Sequence, residues 1–134
     1  MSNESSVLAG CEVLPPMERQ AERADDSRRL RSRRSANRKQ TEERFHLLNT
    51  FVDFTMGSLR RTDIAVWLVL YRDSRGGIAR TAQTDIAARS GVCRVTVSRA
   101  IKRLAGRGLV FVVHRGGLHR GVSSYRVNAL DVER

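Results

Sequence analysis

The nineteen residues "IAARSGVCRVTVSRAIKRL" (86–104) limit the possible folds more than any other stretch. Small residues stand at Ala87 and Gly91, and Val92, Val97, Ile101 and Leu104 follow at helical spacing. Two short helices that cross steeply over a tight turn need a small side chain where they touch. They also need a turn residue that adopts positive φ cheaply. Ala87 and Gly91 supply these. The apolar stripe of the second helix is then core. A rotation of about 100° per residue puts Val95, Arg99 and Lys102 on the opposite side, flanked by Thr96, Ser98 and Arg103. The pair therefore turns a cationic, hydroxyl-bearing ridge outward.

The ridge belongs to a chain of 134 residues with 25 Lys+Arg against 14 Asp+Glu, a formal charge of +11. A balance this basic points to a polyanion: DNA, RNA or anionic lipid. The total alone is weak ground, because Lys39 and Lys102 are the only lysines and genome composition by itself can enrich arginine. The ordering of Ser98, Arg99 and Lys102 on one face carries more weight. The longest apolar run, Ile64 to Tyr71, has eight residues, whereas a spanning helix needs about 20, so no membrane segment is expected. "MSNESSVLAGCEVLPP" lacks the basic start of a secretory signal. The chain reads as cytoplasmic, with Cys11 and Cys93 kept as thiols.

Residues 1–40 show no periodicity that could bury a face, and charges crowd from Glu18 onward. They read as a disordered basic N-terminal tail. Within it "RRLRSRRSANRK" (28–39) holds seven basic residues and no acid, a run that can bind phosphates non-specifically or simply keep the chain soluble. Residues 41–134 read as one domain, mainly α with a small β-hairpin (α+β). Phe45, Leu48, Phe51 or Val52, and Thr55 or Met56 predict an extra N-terminal helix over about 42–55, ending near Gly57. A second helix, about 61–72, contains "DIAVWLVLY", apolar on every side and so buried on both flanks. One flank meets the domain; the other meets the 42–55 helix or a second copy of the chain, a homodimer through residues 42–72. "IART" (78–81) fits a single edge strand, and "AQTDIAARSGV" a short helix ending at Gly91. The long helix that follows stops at "GRGLV", with Gly108 as left-handed cap and Gly106 just inside. "LVFVVHR" and "SSYRV" are strands joined by "GGLHRGV".

The helix pair, followed at once by a hairpin entered through "GLV", resembles the winged helix-turn-helix family of bacterial DNA-binding proteins, MarR-like transcriptional regulators in particular. The likeness runs from about Leu59 to Val127. It is carried by Ile86 and Ala87, by Gly91 and Val92, by "VTVSRAIKRL" and by "GLV". It implies sequence-specific binding of double-stranded DNA by a small regulator, with recognition helix 94–105 in the major groove and wing 114–122 on the backbone or minor groove. Many relatives place Ser or Thr before each motif helix, where this chain has Ala82 and Cys93. Loss of such a cap costs about 1 kcal/mol, so Thr81 or Thr84 is expected to cap the first helix instead.

The DNA-binding residues expected are Arg94, Val95, Thr96, Ser98, Arg99, Lys102 and Arg103 on the helix, with Arg115, His119 and Arg120 on the wing. Cys93, at the start of the recognition helix, could act as an oxidation sensor, but a plain small residue is the commoner role there. His114 and His119 have no cysteine or carboxylate partners at ligand spacing, and Trp67 reads as core. No G-K-[ST] loop, H-E-x-x-H helix or nucleophile elbow occurs. No catalytic residue, cofactor or metal is therefore expected, and no enzyme. Seven residues follow Val127, so a separate effector domain is not expected either. Two other functions stay open: the DNA-binding part of a plasmid or phage replication initiator, and a winged-helix module that holds another protein.

Overall fold

Between Met17 and Gln40 the chain has no Gly, Pro or β-branched residue and is rich in Arg, Ala, Glu and Gln, all good helix formers. Pro16 stands at the first helical position, where its missing N–H costs nothing, and Glu18 in the first turn suits the helix dipole. The computed structural model, which describes residues 16–131, accordingly shows a helix α1 over Pro16–Thr50. This corrects the reading of residues 16–40 as a disordered tail. That reading asked for a buriable face, and α1 forms without one: none of its residues is buried, and Arg29 pairs with Asp25 one turn away at 2.9 Å. Residues 1–15, including Cys11 and the rest of the expected tail, lie outside the described residues. The chain divides after Thr41 into two units, and the remaining description concerns the unit that starts at Glu42.

There the last turns of α1 run into a π turn (Phe51–Thr55) and a 3-10 turn (Met56–Ser58), rather than stopping as a separate 42–55 helix. The wider π turn leaves Phe51 and Thr55 buried and Val52 and Phe54 outside. Phe45, expected in the apolar stripe, is 60% exposed. Arg44 takes the inward place beside α2 (Arg61–Asp73). Its guanidinium donates to the carbonyls of Ser74 (2.7 Å), Tyr71 (3.2 Å) and Arg72 (3.3 Å) at the C-terminal end of α2. The Tyr71 hydroxyl donates back to the Arg44 carbonyl at 2.7 Å. Trp67 fills the centre of this packing, stacked 3.6 Å from Phe51 and 5.4 Å from Tyr71, its Nε1 donating to the Asn128 carbonyl at 3.0 Å. It is core, as read. Leu68 is 42% exposed, so α2 is not covered on every side.

The remaining elements are β1 (Ile78–Arg80), α3 (Gln83–Ser90), α4 (Arg94–Gly106), β2 (Val110–His114) and β3 (Ser124–Val127). The strands form an antiparallel sheet in the order β1-β3-β2, with Ile78 opposite Arg126 and Val110 opposite Val127. β1 is thus an edge strand. Ile86 from α3, Val97, Ala100, Ile101 and Leu104 from α4, and Leu109, Val110, Tyr125 and Val127 from the sheet close over Val66, Trp67 and Leu70 of α2. This is an α+β winged helix-turn-helix preceded by an N-terminal helix.

Asp63, in the first turn of α2, has a side chain only 4% exposed. Arg103 reaches it from α4, Nε at 3.0 Å from Oδ2 and Nη2 at 2.6 Å from Oδ1. The sequence reading put Arg103 with Lys102 on the outer ridge; the structure turns it inward. A carboxylate taken out of water without a partner costs several kcal/mol, and Arg103 is the cation within reach. Arg103→Met, which strands that carboxylate, is expected to lower stability by about 3 kcal/mol. This is the low end for a buried pair, because the Arg103 side chain is 34% exposed. The urea midpoint should fall at unchanged m, and adding Asp63→Leu should restore most of the loss. A single variant as stable as the parent would refute this account of the pair.

Candidate nucleic-acid interface

The chain leaves α3 at Gly91, whose φ of 72° is left-handed and whose N–H donates to the Ala87 carbonyl at 3.1 Å. Val92 and Cys93 complete the turn into α4, so residues 84–104 are two helices and not one rod. The expected cap of α3 is corrected. Ala82 occupies the N-cap position and no side chain caps the helix; the Thr81 hydroxyl instead donates to Asp73 Oδ2 at 2.7 Å, and Thr84 lies exposed within the helix. Asp73 does the anchoring that a cap would have done. Arg89 of α3 grips it through both terminal nitrogens, Nη1 at 2.8 Å from Oδ1. The Asp73 carboxyl is pulled down from 3.8 to about 2, chiefly by the Arg89 hydrogen bond and, against some burial, by that of Thr81.

On α4 the inner stripe of Val97, Ala100, Ile101 and Leu104 is buried. The outer side carries Val95, 58% exposed, with Arg94, Arg99 and Lys102 exposed and Thr96 and Ser98 partly covered. Cys93 is the N-cap residue, and its exposed thiol lies 3.0 Å from Thr96 Oγ1. The Thr96 hydroxyl, then the amide N–H of the same residue, hold that thiol below the ordinary cysteine range.

The wing is built as a closed loop. A bulge between Val112 and His114 interrupts the register of β2 on β3, which resumes with His114 opposite Ser124. Beyond it, the Gly116 N–H donates to Ser123 Oγ at 2.9 Å. A Cβ on Gly116 would stand 2.3 Å from the Gly121 carbonyl oxygen, so the two limbs approach this closely only because position 116 is glycine. At the tip the Arg120 N–H donates to the Gly117 carbonyl at 3.0 Å, and His119 adopts φ 64°. Arg115, His119 and Arg120 are all exposed, as is Leu118. His114 Nε2 lies 3.0 Å from the Arg120 carbonyl and braces the loop.

Two open grooves run along α4, one of them shared with the wing. One follows α4 past Arg94, Val95, Ser98, Arg99 and Lys102. The other runs between α4 and the wing, past Ser98, Lys102, Arg115, Gly116, Ser123 and Tyr125. No acidic residue lines either. Gln83 lines both, and the sequence reading missed it by looking only at the second motif helix and the wing. The available signal was a polar residue at the first position of the first motif helix. Arg94, Arg99, Lys102 and Arg115 are thus brought together; Arg103 is not. Among the described residues no group of three His, Cys, Asp or Glu could hold a metal ion. Among them, too, no helix is long and apolar enough to cross a membrane.

Residues 62–121 match the Crp-like helix-turn-helix domain, a span from the first turn of α2 to the far limb of the wing. No curated protein and no solved structure matches the chain significantly. The domain match supports a winged helix-turn-helix DNA-binding protein, and its description is Crp-like, not MarR-like.

Because the Asp73 pKa is depressed, its stabilising effect is complete above the unfolded-state value near 3.8 and fades as the pH falls towards 2. Asp73→Asn should therefore cost about 1–2 kcal/mol at neutral pH, a figure reduced because Arg89 is 35% exposed to screening solvent. The gap between parent and variant should close between about pH 5 and pH 2 in denaturant titrations. A gap independent of pH would show that Asp73 acts by packing alone.

Proposed function

We propose that this protein is a small bacterial transcriptional regulator that binds double-stranded DNA sequence-specifically. α4 (94–105) enters the major groove and the wing (114–122) lies on the backbone or in the minor groove. The observation that carries this reading is the outward ridge of Val95, Arg99 and Lys102, bordered by Arg94 and Arg115 in grooves that no acid lines. A major groove about 12 Å wide accepts one helix, and a positive face without acids suits its phosphate walls. Arg99 and Lys102 are the base-reading candidates, since both can donate to guanine O6 and N7. Val95 suits a thymine methyl, and Thr96, Ser98 and Arg94 suit phosphates or base edges. Gln83 joins them. Arg115, His119 and Arg120 hold the backbone from the wing. Arg103 drops out of the set, because its guanidinium is committed to Asp63. Kinship with MarR-like regulators is part of this proposal and rests on the helix-pair residues and "GLV".

A homodimer through residues 42–72 belongs to the same reading. Phe45, Val52, Phe54 and Leu68 remain exposed there, and apolar side chains of this size favour a partner surface. Paired recognition helices would then meet half-sites about 34 Å apart.

Titrating the protein onto duplex DNA across salt concentrations tests the reading. Each phosphate contact should contribute about −0.9 to the log-log slope of affinity against salt. A flat slope removes the DNA-binding function and leaves a protein-interaction module. Arg99→Ala should weaken binding to a selected sequence by about 1–3 kcal/mol more than binding to random DNA. Equal losses on both would make Arg99 a backbone contact.

A further inference from the structure

Residues 16–41 of α1 are exposed throughout, yet their charges are not scattered. At about 100° per residue, Glu18, Glu22, Asp25 and Asp26 all fall within one sector of about 100°. Arg29 and Arg33 fall in that same sector, and Arg29 is paired with Asp25 at 2.9 Å. The sector of about 160° on the other side carries Arg23, Arg28, Arg31, Arg34 and Lys39, and no acid before Glu42. Arg23, Arg28 and Arg31 flank one shallow groove there with Ala24 and Ser27. One face therefore mixes charges of both signs in its first turns, while the other carries cations alone over a rise of about 24 Å, some seven base-pair steps of duplex.

We propose that this basic face of α1 is a second polyanion-binding surface whose partner is the phosphate backbone of duplex DNA, bound without regard to sequence. The proposal rests on the DNA-binding function argued above. Three features favour a duplex over a membrane surface. The segment has no apolar face with which to enter lipid, since Met17 and Leu30 are its only large apolar side chains. Its cations are nearly all arginine, whose planar fork matches phosphate oxygens two at a time. They also lie on one side of the helix, at spacings of three to five residues from Arg23 to Arg34 that let several meet one backbone together.

The test uses the full chain and two variants of equal composition and charge. Arg31→Gln/Arg34→Gln removes two cations from the basic face, and Arg29→Gln/Arg33→Gln removes two from the mixed face. Glutamine is as good a helix former as arginine, and far-UV circular dichroism checks that both variants stay helical. Binding to a duplex of about 40 base pairs is read by fluorescence anisotropy across salt concentrations. The first pair is expected to make the log-log slope shallower by about 1.8 and the second to leave it unchanged. Equal shifts for both pairs, or a shift for neither, overturn the proposal. If such a parent still prefers its selected sequence, the regulator reading stands without the second surface. A parent that binds no duplex overturns both. A first pair that loses binding to phosphatidylserine vesicles while its DNA slope is unchanged assigns the face to a membrane and also overturns the proposal.

Discussion

Asp63 is the constraint on which the orientation of the interface depends. Its carboxylate lies under the domain surface, at the start of α2, and Arg103 reaches it from α4 with hydrogen bonds from Nε and Nη2. On α4, Arg103 stands on a seam. By helical geometry Ala100 of the buried stripe lies about 60° to one side, and Arg99 of the outer ridge about 40° to the other. Fixing Arg103 to Asp63 thus fixes the roll of the recognition helix. A roll of one residue, about 100°, would bury Lys102 or expose Leu104, and both are disfavoured by several kcal/mol of lost burial or desolvated charge. The pair is better understood as a rotational stop than as a source of stability.

The same sorting extends to other arginines. Arg44 closes the carbonyl end of α2, Arg89 holds Asp73, and Arg107 spans Asp131 and Ser58. These guanidiniums are structural, each aimed at an oxygen of the fold itself. Net charge is for this reason a poor guide to where a polyanion would bind, since it counts captured and outward cations alike. Among the exposed ones, Arg94, Arg99, Lys102, Arg115 and Arg120 lie together on the recognition helix and the wing. The clustering, and not the formal +11, points to a phosphate backbone.

Features set by backbone chemistry were legible from the residues alone. Gly91 had to take positive φ between two apolar-striped segments, and it does; Gly108 likewise lies at φ 75° after α4. The period-two runs around Phe111 and Tyr125 became the hairpin, and Val95, Arg99 and Lys102 point outward as the helical period required. The misreadings share a cause: they hang on partners distant in the chain. Arg103 follows the same period as Lys102, and only Asp63, forty residues earlier, sets it apart. Thr81 looks like a cap until Asp73 claims its hydroxyl. Phe45 fits an apolar stripe, but Arg44 fills the inward slot, its guanidinium held by carbonyls at the end of α2. The helicity of residues 16–40 was hidden for another reason. A search for buriable faces cannot find a helix stabilised by composition and charge pairing along its own length.

Helix and wing cannot be treated as independent readers, because they share a groove wall. Ser98 and Lys102 on one side face Arg115 and Gly116 on the other, and the separation of those sides is set where the limbs of the wing close over the absent side chain of Gly116. His119, a non-glycine residue at φ 64°, adds strain of about 1–2 kcal/mol at the tip. Such a conformation persists only when neighbours over-determine it, and the Arg120 N–H, the His114 ring and the bulge in β2 do so. A loop held this way has little freedom left to lose. Contacts made by Arg115 and Arg120 would then carry a smaller ordering cost than those of a slack basic loop. By the same logic, any change that loosens the base of the wing would also move the wall against which Lys102 is set, so damage at Gly116 would be felt on the recognition helix itself.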